Sequence, residues 1–344
     1  MSDRQVFRGC LAFPSGALEE ALDRVADDTD ELVMDILRGA RVGDDLLVLS
    51  EDSFFPASLW HHWTGALAEL SAVAHAGLVA CVYQGDGDEI EVFEASGEKP
   101  AALLAARSAP DWFALGESPL RFDVEGEHHT IELRPTQLAP NVQALRLDRS
   151  DEFFPDFDAP LGVAYFASDG ARLYAVDAWR DDQLSALDLS APSPALTLAV
   201  DADASAPRLV HHPGSEGCQV WRVEGREDVE TPAGAFPGCL RVGVTEHFVP
   251  TDVGDYQDGA PPPEPTRRTL FFAPDRGLVR AVLPSGELAL ASPEAKAAPE
   301  ALAAPEALAA PAARADSEPR PALVFAILIA LVVVGFVVWL LGLR

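Results

Sequence analysis

The chain has 344 residues, 55 acidic against 25 basic, and a net charge of −30. Phosphate recognition needs clustered Lys and Arg, so this balance excludes nucleic acid as a partner. The same charge repels an anionic lipid surface, and a hydrophobic content of 48% leaves enough apolar residues for two modest cores beside a membrane anchor.

The first ~115 residues alternate strand and helix patterns. Val6 to Phe13 is a short apolar run. Ser15 offers an N-cap to a helix whose Leu18, Ala21, Leu22 and Val25 share one face. Leu32 to Leu37 reads equally as a short helix or a strand. Leu46 to Leu49 reads as a buried strand, and Pro56 opens a second helix with Leu59, Trp63, Leu67 and Leu70 on one side. Leu78 to Tyr83 is strand-like, and Gly85 to Asp88 turn the chain into an alternating Ile90 to Phe93. Ala101 to Arg107 adds a helical turn or two.

From Leu120 the apolar period becomes two. Phe122/Val124, Ile131/Leu133, Leu145/Leu147, Val163/Tyr165, Leu173/Ala175, Leu196/Leu198/Val200 and Val220/Val223 are strand candidates. Many short strands with Gly and Pro between them define a sandwich, an open barrel or a curved sheet. Pro293, Pro299, Pro305 and Pro311 then recur in an Ala- and Glu-rich stretch. Regular prolines break continuous helix and Ala supplies no core, so this is a tether.

Ala322 to Leu341 carries no charged side chain, and twenty residues at ~1.5 Å rise match a bilayer's ~30 Å hydrocarbon core. Ala322, Phe325, Leu331, Phe336, Trp339 and Leu341 lie in this span. Arg320 and Arg344 bracket it, and Trp339 sits where an interfacial indole is favoured. The first residues, MSDRQVFRGCLAFPSG, show no basic segment followed by an apolar one, the pattern of a secretory leader. A tail anchor is therefore expected, with the acidic bulk in the cytoplasm; the alternative is the periplasmic or extracellular face.

The expected fold class is thus α+β and multidomain. A small N-terminal α/β-type layer domain (1–115) precedes an antiparallel all-β domain (116–290), a Pro/Ala/Glu-rich linker (291–320) and one transmembrane helix (321–343).

Chemistry-bearing residues are scattered. Cys10 and Cys81 read as small buried hydrophobes, and Cys218 and Cys239 flank one hairpin where they have the chance to meet across strands. Three histidine pairs, His61-His62, His128-His129 and His211-His212, lack metal-ligand spacing, because neighbours on a strand or helix diverge. The cluster Asp148, Asp151, Glu152, Asp156 and Asp158 fits no calcium loop and reads as a solvated loop. No GxSxG, Walker loop or strand-linked GxGxxG occurs. No catalytic, metal or cofactor residue is therefore assigned. Trp60, three residues before Trp63, is the candidate for an exposed partner contact.

Two segments, DVETPAGAFPGCLRV at Asp228 to Val242 and LFFAPDRGLVR at Leu270 to Arg280, resemble TapB-like bacterial all-β domains of unassigned function. The resemblance covers about residues 218–290. It implies a curved antiparallel sheet, no catalytic residues, and export by an N-terminal leader. Pro232-Ala233-Gly234 would turn the chain, Phe236 plug a core and Gly277 permit a tight turn.

The functional expectation is a non-catalytic, single-pass, tail-anchored bacterial membrane protein whose acidic region binds a protein partner or serves as a scaffold. The alternatives are an exported, membrane-tethered β domain handling an envelope lipid or polysaccharide, and a cryptic enzyme or metal-dependent module.

Overall fold

A computed structural model describes residues 2–84, 89–106, 108–114, 120–124, 130–139, 142–147, 164–178, 181–211, 216–249, 264–284 and 286–290. The span from Ala322 to Leu341, the tether, His128, His129, His212 and the Asp148–Asp158 cluster lie outside these residues. Residues Met1–Ala295 form one compact unit.

A four-stranded sheet begins the unit. Strand β1 (Ser2–Ala12) lies between β2 (Leu46–Pro56) and β3 (Ala76–Gln84), and β4 (Glu89–Glu94) completes the order β2-β1-β3-β4. Every pairing is antiparallel, which makes this layer α+β. Strand β2 runs well beyond the expected Leu46–Leu49. Its later residues, SEDSFFP, carry too many polar side chains to show as a buried run.

Three helices cover one face of this sheet. Helix α1 (Ala17–Ala26) buries Leu18, Ala21, Leu22 and Val25, the i, i+3, i+4, i+7 stripe of an amphipathic helix. Its N-cap is Gly16 in the left-handed region, with no side-chain cap, so Ser15 does not play that part. The Gly16 amide donates instead to Asp45 Oδ1 at 2.9 Å. The ambiguous Leu32–Leu37 segment lies in α2 (Glu31–Gly39), started by Asp30, whose carboxylate accepts from the Leu32 amide at 2.9 Å. After a 3-10 turn at Ala57–Leu59, α3 (Trp60–Val73) buries Trp60, Trp63, Leu67 and Leu70. Trp63 stacks on Phe7 with ring centroids 3.9 Å apart, against Phe55 at 6.2 Å. Ala101–Ala106 form no helix; Ala102 is held as extended chain by an antiparallel bridge to Ser193.

The second layer is a twelve-stranded antiparallel sheet made of two six-stranded meanders. The first comprises β5 (Leu120–Val124), β6 (Thr130–Ala139), β7 (Val142–Leu147), β8 (Ala164–Ser168), β9 (Arg172–Val176) and β10 (Leu196–Asp201). The second comprises β11 (Arg208–Val210), β12 (Gly217–Thr231), β13 (Gly234–Phe248), β14 (Thr266–Ala273), β15 (Gly277–Leu283) and β16 (Gly286–Leu290). A short helix α4 (Asp181–Ala186) stands between β9 and β10. The meanders join where β16 pairs with β5, through Leu288↔Val124, Ala289↔Asp123 and Leu290↔Phe122. At the other end β10 and β11 come within 8 Å without a hydrogen-bonded ladder, so the sheet curls almost into a ring.

The described interior of this curl is filled. Leu173, Ala175, Val200, Trp221, Val242, Phe272 and Leu283 pack around Trp112 and Phe113. The strap carrying these two aromatics is fixed by Asp111 and Asp275, which exchange hydrogen bonds of 3.0 and 2.7 Å, and by the Trp112 amide donating to Gly170 O at 2.9 Å. Phe113 meets Phe272 edge-on at 4.9 Å. Gly277, at φ 76°, must be glycine, because a Cβ there would sit 2.0 Å from Ala114 O. Thr231 and Gly234 close the β12–β13 hairpin around Pro232-Ala233, and Phe236 packs against a separate cluster of Val229, Cys239, Phe271, Ala273 and Val279. Among the described residues no helix is long and apolar enough to cross a membrane.

Candidate functional site

The two layers meet on the helix-free face of the small sheet. Alternation along β1 sends Phe7 and Leu11 toward the helices and Cys10 and Ala12 toward the large sheet. Register adds Leu46, Leu78 and Ala80 to the second side, where they pack on Leu209, Cys218 and Val249. Close approach is possible because position 77 is glycine: at φ 105° a Cβ would lie 2.1 Å from Cys10 O and 2.9 Å from a Leu209 methyl.

Within this layer Cys10 of β1 and Cys218 of β12 bring their thiols into side-chain contact, both fully buried. The Cys218 thiol also points at Cys10 O and Leu78 O, each 3.8 Å away. His211, just after β11, stands beside Cys218. Its Nδ1 is 3.0 Å from Gly217 O, and its Nε2 is 3.7 Å from a carboxylate oxygen of Glu94 at the end of β4. A carboxylate, an imidazole and two thiols therefore line up across the join between the sheets.

Electrostatics divides the two thiols. Burial raises Cys10, and the adjoining Cys218 raises it further. Burial also pushes Cys218 up, but hydrogen bonds with Cys10 and His211, the His211 charge and the Leu78 backbone outweigh it and bring Cys218 down to about 5. His211 mirrors this: burial lowers it, while Cys218, the Gly217 carbonyl and Glu94 together raise it.

Two further buried polar groups share the layer. Arg8 donates to Ser50 Oγ at 2.5 Å, and His247, opposite Cys218 in the β12–β13 register, is lowered by burial and then by the Arg8 charge. By contrast Cys81, on the helix side of β3, is a small core residue whose thiol burial pushes up.

The structure corrects two expectations. Trp60 is not an exposed partner residue: it is buried in the helix-covered core, tilted against Tyr83 with centroids 5.6 Å apart. Cys218 and Cys239 do not meet, because the hairpin register sets Cys218 opposite His247 and Cys239 opposite Glu227, far up the same ladder. Sequence reasoning missed the Cys10–Cys218 contact, which joins residues 208 positions apart. Its one available sign was that both cysteines sit in alternating strand-like runs. Of the histidine pairs, His61 is exposed and His62 contacts Asp28 O at 3.2 Å. Among the described residues no group of three or more His, Cys, Asp or Glu side chains is arranged to hold a metal ion.

No protein-family model matches the chain, and no curated protein matches it. Among solved structures it is similar to a protein of Bacteroides fragilis described as exported, with a YmcC-like fold. That similarity has 16% identity and a TM-score of 0.25, over 53% of this chain and 95% of that one. A second is a protein of Parabacteroides distasonis described as a lipoprotein, with 12% identity and a TM-score of 0.26, over 51% of this chain and 91% of that one. Scores at this level carry no argument about fold or role.

Proposed function

We propose that this chain is a non-catalytic binding domain displayed from a membrane by its C-terminal apolar segment and proline-spaced tether. The supporting observation is that, among the described residues, the one thiol lowered toward reactivity, Cys218, is sealed together with His211. Cys218 is lowered by its neighbour His211 as an activated nucleophile is, yet its sulfur is fully buried between two sheets, closed to substrate in the docked structure. The described interior of the large sheet is filled with aromatic and aliphatic side chains in the same way. Contact with a partner therefore falls to the outer surface, whose acidic character selects a basic or neutral protein.

The test has two parts. Full-length chain is expected to pellet with membranes and to resist alkaline carbonate, whereas residues 1–295 alone appear in the soluble fraction. A truncated chain that stays in the carbonate-resistant pellet would sink the tether. In-cell photo-crosslinking followed by mass spectrometry is expected to return one protein adduct in stoichiometric yield, and its absence would sink the binding role.

A second reading places the domain outside the cytoplasm, and one observation favours it. Two cysteines in side-chain contact across a layer join are the arrangement that oxidising compartments convert to a disulfide. Digestion of the domain by protease added to intact or outer-membrane-permeabilised cells is expected on this reading, and full protection contradicts it.

A further inference from the structure

We propose that Cys10 and Cys218 form a redox-responsive staple, closing into a disulfide that locks the small sheet onto the large one when a disulfide oxidant is present. The geometry carries it. Both cysteines are buried in one cluster, the Cys218 sulfur lies 3.8 Å from Cys10 O, and the strands that bear them, from different sheets, approach within 8 Å. Bridged cysteines have Cα atoms ~4.4–6.8 Å apart, a separation that strands packed this closely can reach. Cys81 and Cys239 serve as internal controls, because each is buried in its own cluster, Cys81 under the helices and Cys239 with Val229 and Phe271.

The step is an ordinary thiol–disulfide exchange. The Cys218 thiolate attacks one sulfur of an external disulfide such as oxidised glutathione, breaking that S–S bond and expelling one thiolate. The Cys10 sulfur, giving up its proton, then attacks the Cys218 sulfur of the mixed disulfide and expels the second. Two electrons pass from the protein's thiols to the oxidant, which leaves as two thiols carrying the two protons. His211, beside Cys218, holds the first of those protons. Both sulfurs are inaccessible in the closed structure, so the exchange takes place before the sheets have docked or during a local opening of their join. The inference is independent of which side of the membrane the domain occupies, since the oxidant is supplied in the test.

Full-length protein in detergent is unfolded under reducing conditions, then refolded with a mixture of reduced and oxidised glutathione or with reduced glutathione alone. The oxidised sample is expected to lose about 2 Da by intact mass, the signature of two lost hydrogens. It is also expected to yield a single cross-linked peptide joining the Cys10 and Cys218 segments, and to melt roughly 5–15 °C higher than the reduced sample. The Cys10→Ser and Cys218→Ala variants are expected to remove all three effects, while Cys81→Ala retains the cross-link. Four titratable thiols after oxidative refolding, or a cross-link that uses Cys81 or Cys239, overturns the proposal. Should either single variant fail to fold, the peptide map of the unmodified chain decides the matter by itself.

Discussion

The two faces of the small sheet solve the same problem with opposite chemistry. On the helix side, Phe7, Leu11, Leu47, Leu49, Val79 and Cys81 meet Trp63, Leu67 and Leu70 in a dry core. On the other side the same strands present Arg8, Cys10 and Ala80 to Cys218, His211 and His247. A helix layer accepts any well-shaped apolar surface. A sheet docked on a sheet must also seat its polar groups, and each of them restricts how the layers can slide. The difference teaches that the helices stabilise the small sheet, whereas the polar layer fixes where it sits on the large one.

The sharpest way to break this contrast is Trp63→Ala. It removes a fully buried indole stacked on Phe7, and a loss of about 3–5 kcal/mol in denaturant unfolding is expected. Gly77→Ala tests the other face, combining a left-handed backbone with a methyl 2.1 Å from Cys10 O. A cost of about 2–4 kcal/mol is expected, together with weaker hydrogen-exchange protection at the join than in the helices. If the helix-side amides weaken first, the two faces are not separable in this way.

The third test is a pH slope. Cys218 is held at about 5 against an ordinary 9.0, so its contribution is full above the ordinary value and is lost as pH falls toward 5. His247, lowered from 6.5, acts in the same direction: its contribution is present above 6.5 and lost as pH falls through the folded value. His211 is raised, so its contribution is full below 6.5 and lost only as pH rises through its folded value. Acid between 6.5 and 5 therefore weakens the join. Replacing both groups, Cys218→Ser with His211→Gln, is expected to reduce the slope of stability against pH there by about one proton, measured on reduced protein. An unchanged slope would show that the Cys218–His211 pair holds as many protons folded as unfolded.

The smallest effect belongs to Phe54→Ser. Phe54 lies on the polar side of β2 but is 69% exposed. A change within ~0.5 kcal/mol is expected. A larger loss would mean that the join extends further along β2 than the buried residues indicate.

How much of this was legible depended on range. The stripe Leu18, Ala21, Leu22, Val25 announced α1 because helix packing repeats locally, and the period-two runs from Phe122 onward marked most of the large sheet. Three-residue β11 was missed because Arg208–Val210 is too short to show a period. Trp60 and Trp63 have identical local credentials, and only the tertiary position of Tyr83 shows that Trp60 is covered too. The polar layer was illegible for a stronger reason. Nothing near Cys10 encodes the register that brings β12 across it, whereas Cys239 lies on the strand that pairs with that of Cys218 and is close to it in sequence.

The joint between the meanders sets an order of assembly. The small sheet is complete once Glu94 has left the ribosome, and its pairings are comparatively local. Strand β5 has to wait for Leu288–Leu290, so the bond that unites the two halves of the large sheet forms only after all the other strands of that sheet have been made. Such distant closure is slow, because a long loop must be ordered before three residue pairs repay it. Until then β5 presents an unsatisfied strand edge, the kind of surface on which two copies pair wrongly. A newly made chain is therefore most vulnerable during the interval between its first strands and its sixteenth.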